Sequence, residues 1–159
     1  MNKREMYVGL VRDLRSLVDG VEDNSVGILA NAAALIYERT GYFWVGFYMV
    51  SDGVLKLGPF QGPVACYRIA FGKGVCGTAW ERTATVVVPD VEEFPGHIAC
   101  SSLSRSEIVV PLLDGSANVI GVLEIDSREL DTFDDIDRQF LEEACAVIAK
   151  ALNLSPYQA

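Results

Sequence analysis

Two Asp-Gly pairs constrain this chain more than any other feature. Asp52-Gly53 separates Tyr42–Val50 from Val54–Leu57, and Asp114-Gly115 separates Ile108–Leu113 from Asn118–Ser127. The flanking runs are rich in β-branched and aromatic residues, which suit a pleated, half-buried strand. An Asp-Gly step between two such runs supplies the positive φ angles of a tight hairpin. Strands joined this way must run antiparallel, because a parallel neighbour needs a crossover of a dozen or more residues.

Helical periodicity brackets these hairpins. Tyr7, Leu10, Val11, Leu14, Leu17 and Val18 recur at helical spacing, predicting a helix over roughly 4–19 with Gly20 as its stop. A second helix is predicted over about 25–39, with Ile28, Leu29, Ala32, Leu35 and Ile36 on one face and Gly41 beyond its end. In the middle, Gly58–Pro63 reads as a loop and Ala65–Phe71 as a strand. Gly72-Lys-Gly74 opens a short helix near Val75–Arg82, and Thr85–Val88 is a strand stopped by Pro89-Asp90. Val91 to Arg105 is a long loop carrying the only histidine, His97, and such loops inside compact domains are usually functional. The last helix is expected to begin near Thr132 as N-cap, with Ile136, Phe140, Ala144, Val147, Ile148 and Ala151 on its apolar face. The order predicts an α+β fold: an antiparallel β-sheet with helices packed on one face and a loop-covered pocket on the other.

At 159 residues the chain reads as one domain spanning 1–159, burying roughly two-thirds of its unfolded surface. Half of the residues are hydrophobic and 22% charged, which excludes a disordered chain. No apolar run approaches the ~20 residues of a membrane span. The opening Met1-Asn2-Lys3-Arg4-Glu5 leads into an amphipathic pattern rather than a signal sequence, so a cytoplasmic protein is expected. The net charge of −9 repels phosphate backbones and there is no basic stripe, so no nucleic-acid partner is expected. The amphipathic first helix is a candidate homodimer surface.

The four cysteines of such a chain should be mostly reduced thiols. Cys145 falls among Leu141, Ile148 and Leu152 on the last helix and is expected to be an inert core residue. Cys66, Cys76 and Cys100 match no Cys-x-x-Cys pattern; taken alone they read equally as buried thiols or as thiol chemistry. A zinc site from these three and His97 is chemically conceivable, but the paired-cysteine knuckle is missing and no metal is expected. Cys76 follows Gly72-Lys-Gly74 at a helix start, where amides and a cation lower a thiol pKa; the same amides could hold a substrate carboxylate. Glu124 and Asp126, two apart in a strand, leave one face. If Leu113 pairs with Asn118, Glu107 lies across from Glu124, and the three acids either form a solvated face or raise one another's pKa and clamp an ammonium group. Trp44 by itself reads as a core aromatic, and His97 as a loop residue bonded locally.

Six stretches add a resemblance: Trp44-Val-Gly-Phe-Tyr48, Leu57-Gly-Pro-Phe-Gln-Gly62, Gly74-Val-Cys-Gly-Thr78, Gly96-His-Ile-Ala-Cys100, Ser106-Glu-Ile-Val109 and Gly121-Val-Leu-Glu-Ile-Asp-Ser127. They run in order over most of the chain, which resembles the free methionine-(R)-sulfoxide reductases, single GAF-domain enzymes. Thr132-Phe-Asp-Asp-Ile-Asp137 also looks like the start of the terminal GAF helix. The resemblance implies that a cysteine thiolate attacks the sulfoxide sulfur while an acid protonates the departing oxygen. A second cysteine then converts the sulfenic acid to a disulfide that thioredoxin reduces. It places Cys100 as nucleophile, Cys66 as its resolving and disulfide partner, and Cys76 as a third redox cysteine, against the helix-terminus argument for Cys76. It makes Trp44 the surface for the substrate's methyl end, and Glu107, Glu124 and Asp126 the ammonium clamp and the acid, with no cofactor. Where the family pattern has aspartate this chain has Glu124, which moves the carboxylate by more than ~1 Å. GAF domains also serve as small-ligand sensors, but a chain of 159 residues is expected to leave no room for an output domain.

Overall fold

Both hairpins form. The computed structural model describes residues 1–153. Its elements are α1 (Lys3–Leu17), α2 (Ser25–Thr40), β1 (Trp44–Ser51), β2 (Val54–Gln61), β3 (Arg68–Ala70), α3 (Gly74–Arg82), β4 (Val86–Val88), β5 (Ser106–Leu113), β6 (Val119–Ser127) and α4 (Asp135–Asn153). A 3₁₀ turn at Val91–Glu93 interrupts the long loop. The six strands form one antiparallel sheet in the order β3-β2-β1-β6-β5-β4.

In the first hairpin Asp52 and Gly53 have φ of 53° and 77°, and Ser51 pairs with Val54, a two-residue turn that matches the strand twist. β2 continues to Gln61, past the loop expected from Gly58. The ladder is irregular between Gly46 and Tyr48, and Pro59 falls in that irregularity, where its missing N–H costs no ladder bond.

The second hairpin has a longer connection than its Asp-Gly pair suggests. The Asp114 carboxylate accepts from the amides of Ser116 (2.8 Å) and Asn118 (2.9 Å), and Ala117 takes φ 62°. Leu113 therefore pairs with Val119, and an irregularity between Leu112 and Leu113 carries the register on. Glu107 lands opposite Asp126, not Glu124, and Val109 opposite Glu124. The offset is two residues along β6, so the three acids keep one face.

α1, α2 and α4 cover one face of the sheet, burying Val45, Phe47, Ile108, Val110, Leu112, Leu123 and Ile125. α3 lies on the opposite face with Trp44, Tyr48, Val109 and Val122. The stripe of α1 (Tyr7, Leu10, Val11, Leu14) is buried within the chain's own helical layer.

The N-cap of α4 falls two residues later than expected, at Asp134 rather than Thr132. Asp134 accepts from the amides of Ile136 (3.0 Å) and Asp137 (3.2 Å). Thr132 instead donates its hydroxyl to Ser127 Oγ at 2.6 Å. The buried Asp137 then accepts from Tyr7 Oη (2.5 Å), Tyr42 Oη (2.6 Å) and Lys3 Nζ (2.6 Å), tying α1, the entry to β1 and α4 together.

Cys145 is buried in the helical layer, as its spacing predicts. Cys145→Ala is expected to keep activity within about twofold and to cost of order 1 kcal/mol in denaturant unfolding, the scale of a small core truncation. A large rate loss in folded protein would contradict this placement. Among the described residues no helix is long and apolar enough to cross a membrane.

Candidate active site

Three adjacent strands build the site on the face away from the main helical layer. Asp126 in β6 is flanked by Glu107 of β5 on one side and Trp44 of β1 on the other, and Glu124 sits two residues up. A carboxylate oxygen from each of Glu107, Glu124 and Asp126 lies within 4.8 Å of the other two. Glu107 and Asp126 are buried, and Asp126 Oδ1 has no hydrogen-bond partner.

Opposite Glu124 stands Gly46, whose missing side chain leaves room for the Trp44 ring. Gly62, with φ 129°, brings the chain so close that a Cβ there would sit 2.7 Å from Trp44 Cδ1. The indole is pinned by Phe60 (ring centroids 5.3 Å apart) and by donating Nε1–H to the Pro63 carbonyl at 3.0 Å. Tyr48 is fully buried beneath it and donates its hydroxyl to the Cys66 carbonyl at 2.8 Å, fixing the strand-to-loop segment that carries this cysteine.

Cys66 and Cys100 are joined as a disulfide with Cα atoms 5.5 Å apart. The bond staples the long loop to the segment between β2 and β3. Cys100 lines a cavity of ≈ 20 Å³, room for one or two waters, together with Trp44, Tyr48, His97, Glu107, Glu124 and Asp126. Cys66 is not part of that lining. The disulfide uses two of the four donors of the zinc arrangement considered from sequence.

Cys76 lies in the first turn of α3, yet its environment opposes the expected thiolate. The thiol is buried in the apolar cluster with Trp44 and Val109. Burial, and then the charges of Glu124, Glu107 and Asp126, push its pKa well above the ordinary thiol value. Burial comes first among these causes, and the helix terminus does not leave this thiol ionised. The amino end of α3 is also covered: a Cβ on Gly74 would meet Ile98 at 3.0 Å, and neither Gly74 nor Gly77 lines the cavity. The glycine amides expected to hold a substrate carboxylate are therefore outside the lining of the cavity in the disulfide state.

His97 Nε2 lies 3.1 Å from Glu107 Oε1. Sequence reading left this histidine as a local loop contact; its partner is instead a buried strand acid ten residues on. The hydrogen bond to Glu107 raises the imidazole pKa against the opposing effect of burial. Tyr48 and Ser104 share the lining with Val64, Ala65, Ile98 and Ser101, and Ser104 Oγ, buried, has no partner. Alternation of Trp44, Gly46 and Tyr48 along one strand face could have found Tyr48; no local signal marks Ser104.

Two of the three acids, Glu124 and Asp126, are pushed toward their protonated forms. Burial, and then Glu107's charge, push Glu124 up to about 8, and burial with both neighbours' charges raises Asp126 well above the usual carboxylate range. A carboxyl whose folded pKa is raised stabilises the fold below its unfolded value and loses that contribution as pH rises through the folded value. For Glu124 that window runs from 4.5 to about 8. Glu124→Gln is therefore expected to gain Tm on the wild type by roughly 10–20 °C across this interval in thermal unfolding, since about 3.5 pH units at about 1.4 kcal/mol each are lost by the wild type. A constant Tm difference between the two proteins would show that Glu124 is ordinarily ionised.

Comparison with known proteins places these features. The GAF domain family matches residues 26–152. The chain is 52% identical over 143 residues to GAF domain-containing protein A of Dictyostelium discoideum, spanning 89% of each protein. It is 47% identical over 159 residues to the free methionine-R-sulfoxide reductase of Escherichia coli K12, covering 99% of this chain and 95% of the relative. The structure of free methionine-R-sulfoxide reductase from Neisseria meningitidis in complex with its substrate superposes with a TM-score of 0.94 at 48% identity, covering 98% of this chain and 93% of that one. With its antiparallel sheet, acid triplet and cavity-lining disulfide, the chain belongs to the GAF domain family and, within it, to the free methionine-R-sulfoxide reductases.

Proposed function

We propose that this single GAF domain, spanning 1–159, reduces free methionine (R)-sulfoxide in the cytoplasm through Cys100, Cys66 and the acid triplet. The observation that carries the reading is one juxtaposition: three carboxyls, one with an unpartnered buried oxygen, open on a cavity walled by Trp44 and by Cys100 of a disulfide. An ammonium group suits the acids, and the thioether methyl suits the indole face. Cys100 thiolate attacks the sulfoxide sulfur, and a carboxyl still protonated at neutral pH gives its proton to the departing oxygen. Methionine leaves, Cys100 is left as a sulfenic acid, and Cys66 thiol displaces water from it to form the disulfide. Thioredoxin supplies the two electrons that reopen it.

The small cavity of the disulfide state supports an order for the cycle. Room for one or two waters cannot hold an amino acid, so reduction of the disulfide precedes substrate binding. α1 supports the single-domain reading, since its apolar residues belong to the same core as those of α2 and α4. The test is incubation with racemic free methionine sulfoxide and dithiothreitol, with methionine and the remaining epimers counted. Loss of the (R) epimer alone is expected; no methionine, or equal loss of both epimers, contradicts the reading.

A further inference from the structure

Beside the disulfide, Tyr67, Arg68 and Phe71 lie outside the cavity that the reaction above uses, next to Val64 and Ile98, which also line it. Val64 and Tyr67, flanking Cys66 closely on either side, are 87% and 81% exposed, and Phe71 is 51% exposed. Across the disulfide, Ile98 is 37% exposed. These are large apolar side chains clustered in the two segments that the disulfide joins, and such patches mark interaction sites.

The charge of the same two segments departs from the rest of the molecule. Residues 62–73 and 94–106 contain Arg68, Lys73 and Arg105 and no Asp or Glu, in a chain with 22 acidic against 13 basic residues. All three cations are exposed. Carboxylates stand next to them, with Asp52 near enough to feel the charge of Arg68, Glu81 beside Gly72, and the acid triplet inside the cavity. The two segments joined by the disulfide are themselves apolar and cationic on an otherwise acidic protein.

From this we infer that the Val64–Phe71 face, with Ile98, is the docking surface for an acidic protein dithiol of the Cys-x-x-Cys class, whose apolar active-site surround meets Tyr67 and whose carboxylates meet Arg68. The inference rests on the reductase reading and names where its electron donor binds. A thiolate of the donor attacks Cys66 Sγ, the sulfur set between Val64 and Tyr67. The Cys66–Cys100 bond breaks, and Cys100 leaves as a thiolate toward the cavity it lines. The donor's second thiolate then attacks the mixed disulfide, releasing Cys66. The donor is oxidised to its disulfide, and its two electrons reduce the pair to two thiols.

Docking by apolar contact and complementary charge acts on the encounter with a protein and not on chemistry with a small dithiol. The probe is thioredoxin, compared with dithiothreitol as sole reductant, for the wild type and for Tyr67→Asp, Arg68→Glu and Tyr67→Phe. Neither Tyr67 nor Arg68 lines the cavity. Thioredoxin-supported kcat/KM, measured over thioredoxin concentration, is expected to fall about tenfold in Tyr67→Asp and in Arg68→Glu, and to be restored in Tyr67→Phe. Dithiothreitol-supported turnover should stay within about twofold in all three, which also shows that each variant is folded. Equal losses with both reductants, or unchanged thioredoxin kinetics in both charged variants, would overturn the docking surface. So would a wild type turned over by dithiothreitol and not by thioredoxin. Failure of the wild type with either reductant would sink the reductase reading beneath it.

Discussion

Cys100→Ser is expected to release no methionine even in a single turnover of pre-reduced protein, whereas Cys66→Ser should release one equivalent per chain and then stop. The contrast follows from where the two sulfurs sit. Cys100 lines the cavity with the acids and Trp44; its partner does not. A serine hydroxyl at its ordinary pKa is a far weaker nucleophile than a thiolate, so the loss is expected to exceed about 10³-fold. Cys66→Ser removes only the group that resolves the sulfenic acid. Cys76→Ser is expected to keep single-turnover release, because burial and three neighbouring carboxyls hold that thiol protonated. Methionine from Cys100→Ser together with none from Cys76→Ser would exchange the two roles.

The helix-start argument for Cys76 shows why sequence reached the fold more fully than the site. Local chemistry was legible: the Asp-Gly turn at 52–53, the stripe of α1 and the core position of Cys145 all depend on near neighbours. The thiol of Cys76 is set instead by its burial and then by acids of β5 and β6, thirty and more residues away. The same holds for the acids. Their shared face followed from strand alternation, but the pairing of Glu107 with Asp126 depends on the bulge at Leu112–Leu113 and the Asp114–Asn118 turn. His97 shows the limit most plainly, since a loop residue gains its meaning from a buried strand acid that no spacing rule links to it. Resemblance gave the pairing of Cys66 with Cys100, and the structure contains that bond.

Free methionine sulfoxide is expected to be preferred over its N-acetyl amide by roughly 10³-fold or more in kcat/KM. The ammonium end carries the argument. Glu107 and Asp126 are buried and Asp126 Oδ1 lacks any partner in the protein, so a cationic donor from the ligand fits this cluster. An acetylated nitrogen brings no charge and at most one donor. It leaves buried carboxyls unpaired at about 1–3 kcal/mol each, and more where they are ionised. Two such losses give about three powers of ten at 1.4 kcal/mol per decade. A pocket acting by shape on a methylene-sized difference would give only about 10- to 200-fold. The carboxylate end adds to this; Ser104 Oγ, buried and unpartnered on the cavity wall, is a donor available to it. Comparable kcat/KM for the two substrates would remove the ammonium clamp from the account.

The central claim is that one chain converts one free (R)-sulfoxide to methionine by oxidising its own Cys66–Cys100 pair. Fully reduced protein, freed of reductant and mixed with excess methionine (R)-sulfoxide, tests it by the stoichiometry of methionine released against disulfide mapped by peptide analysis. The account predicts one methionine per chain, one disulfide joining Cys66 to Cys100, and Cys76 and Cys145 recovered as free thiols. Methionine formed with the Cys66 and Cys100 thiols unchanged, or a disulfide through Cys76 in its place, would contradict it.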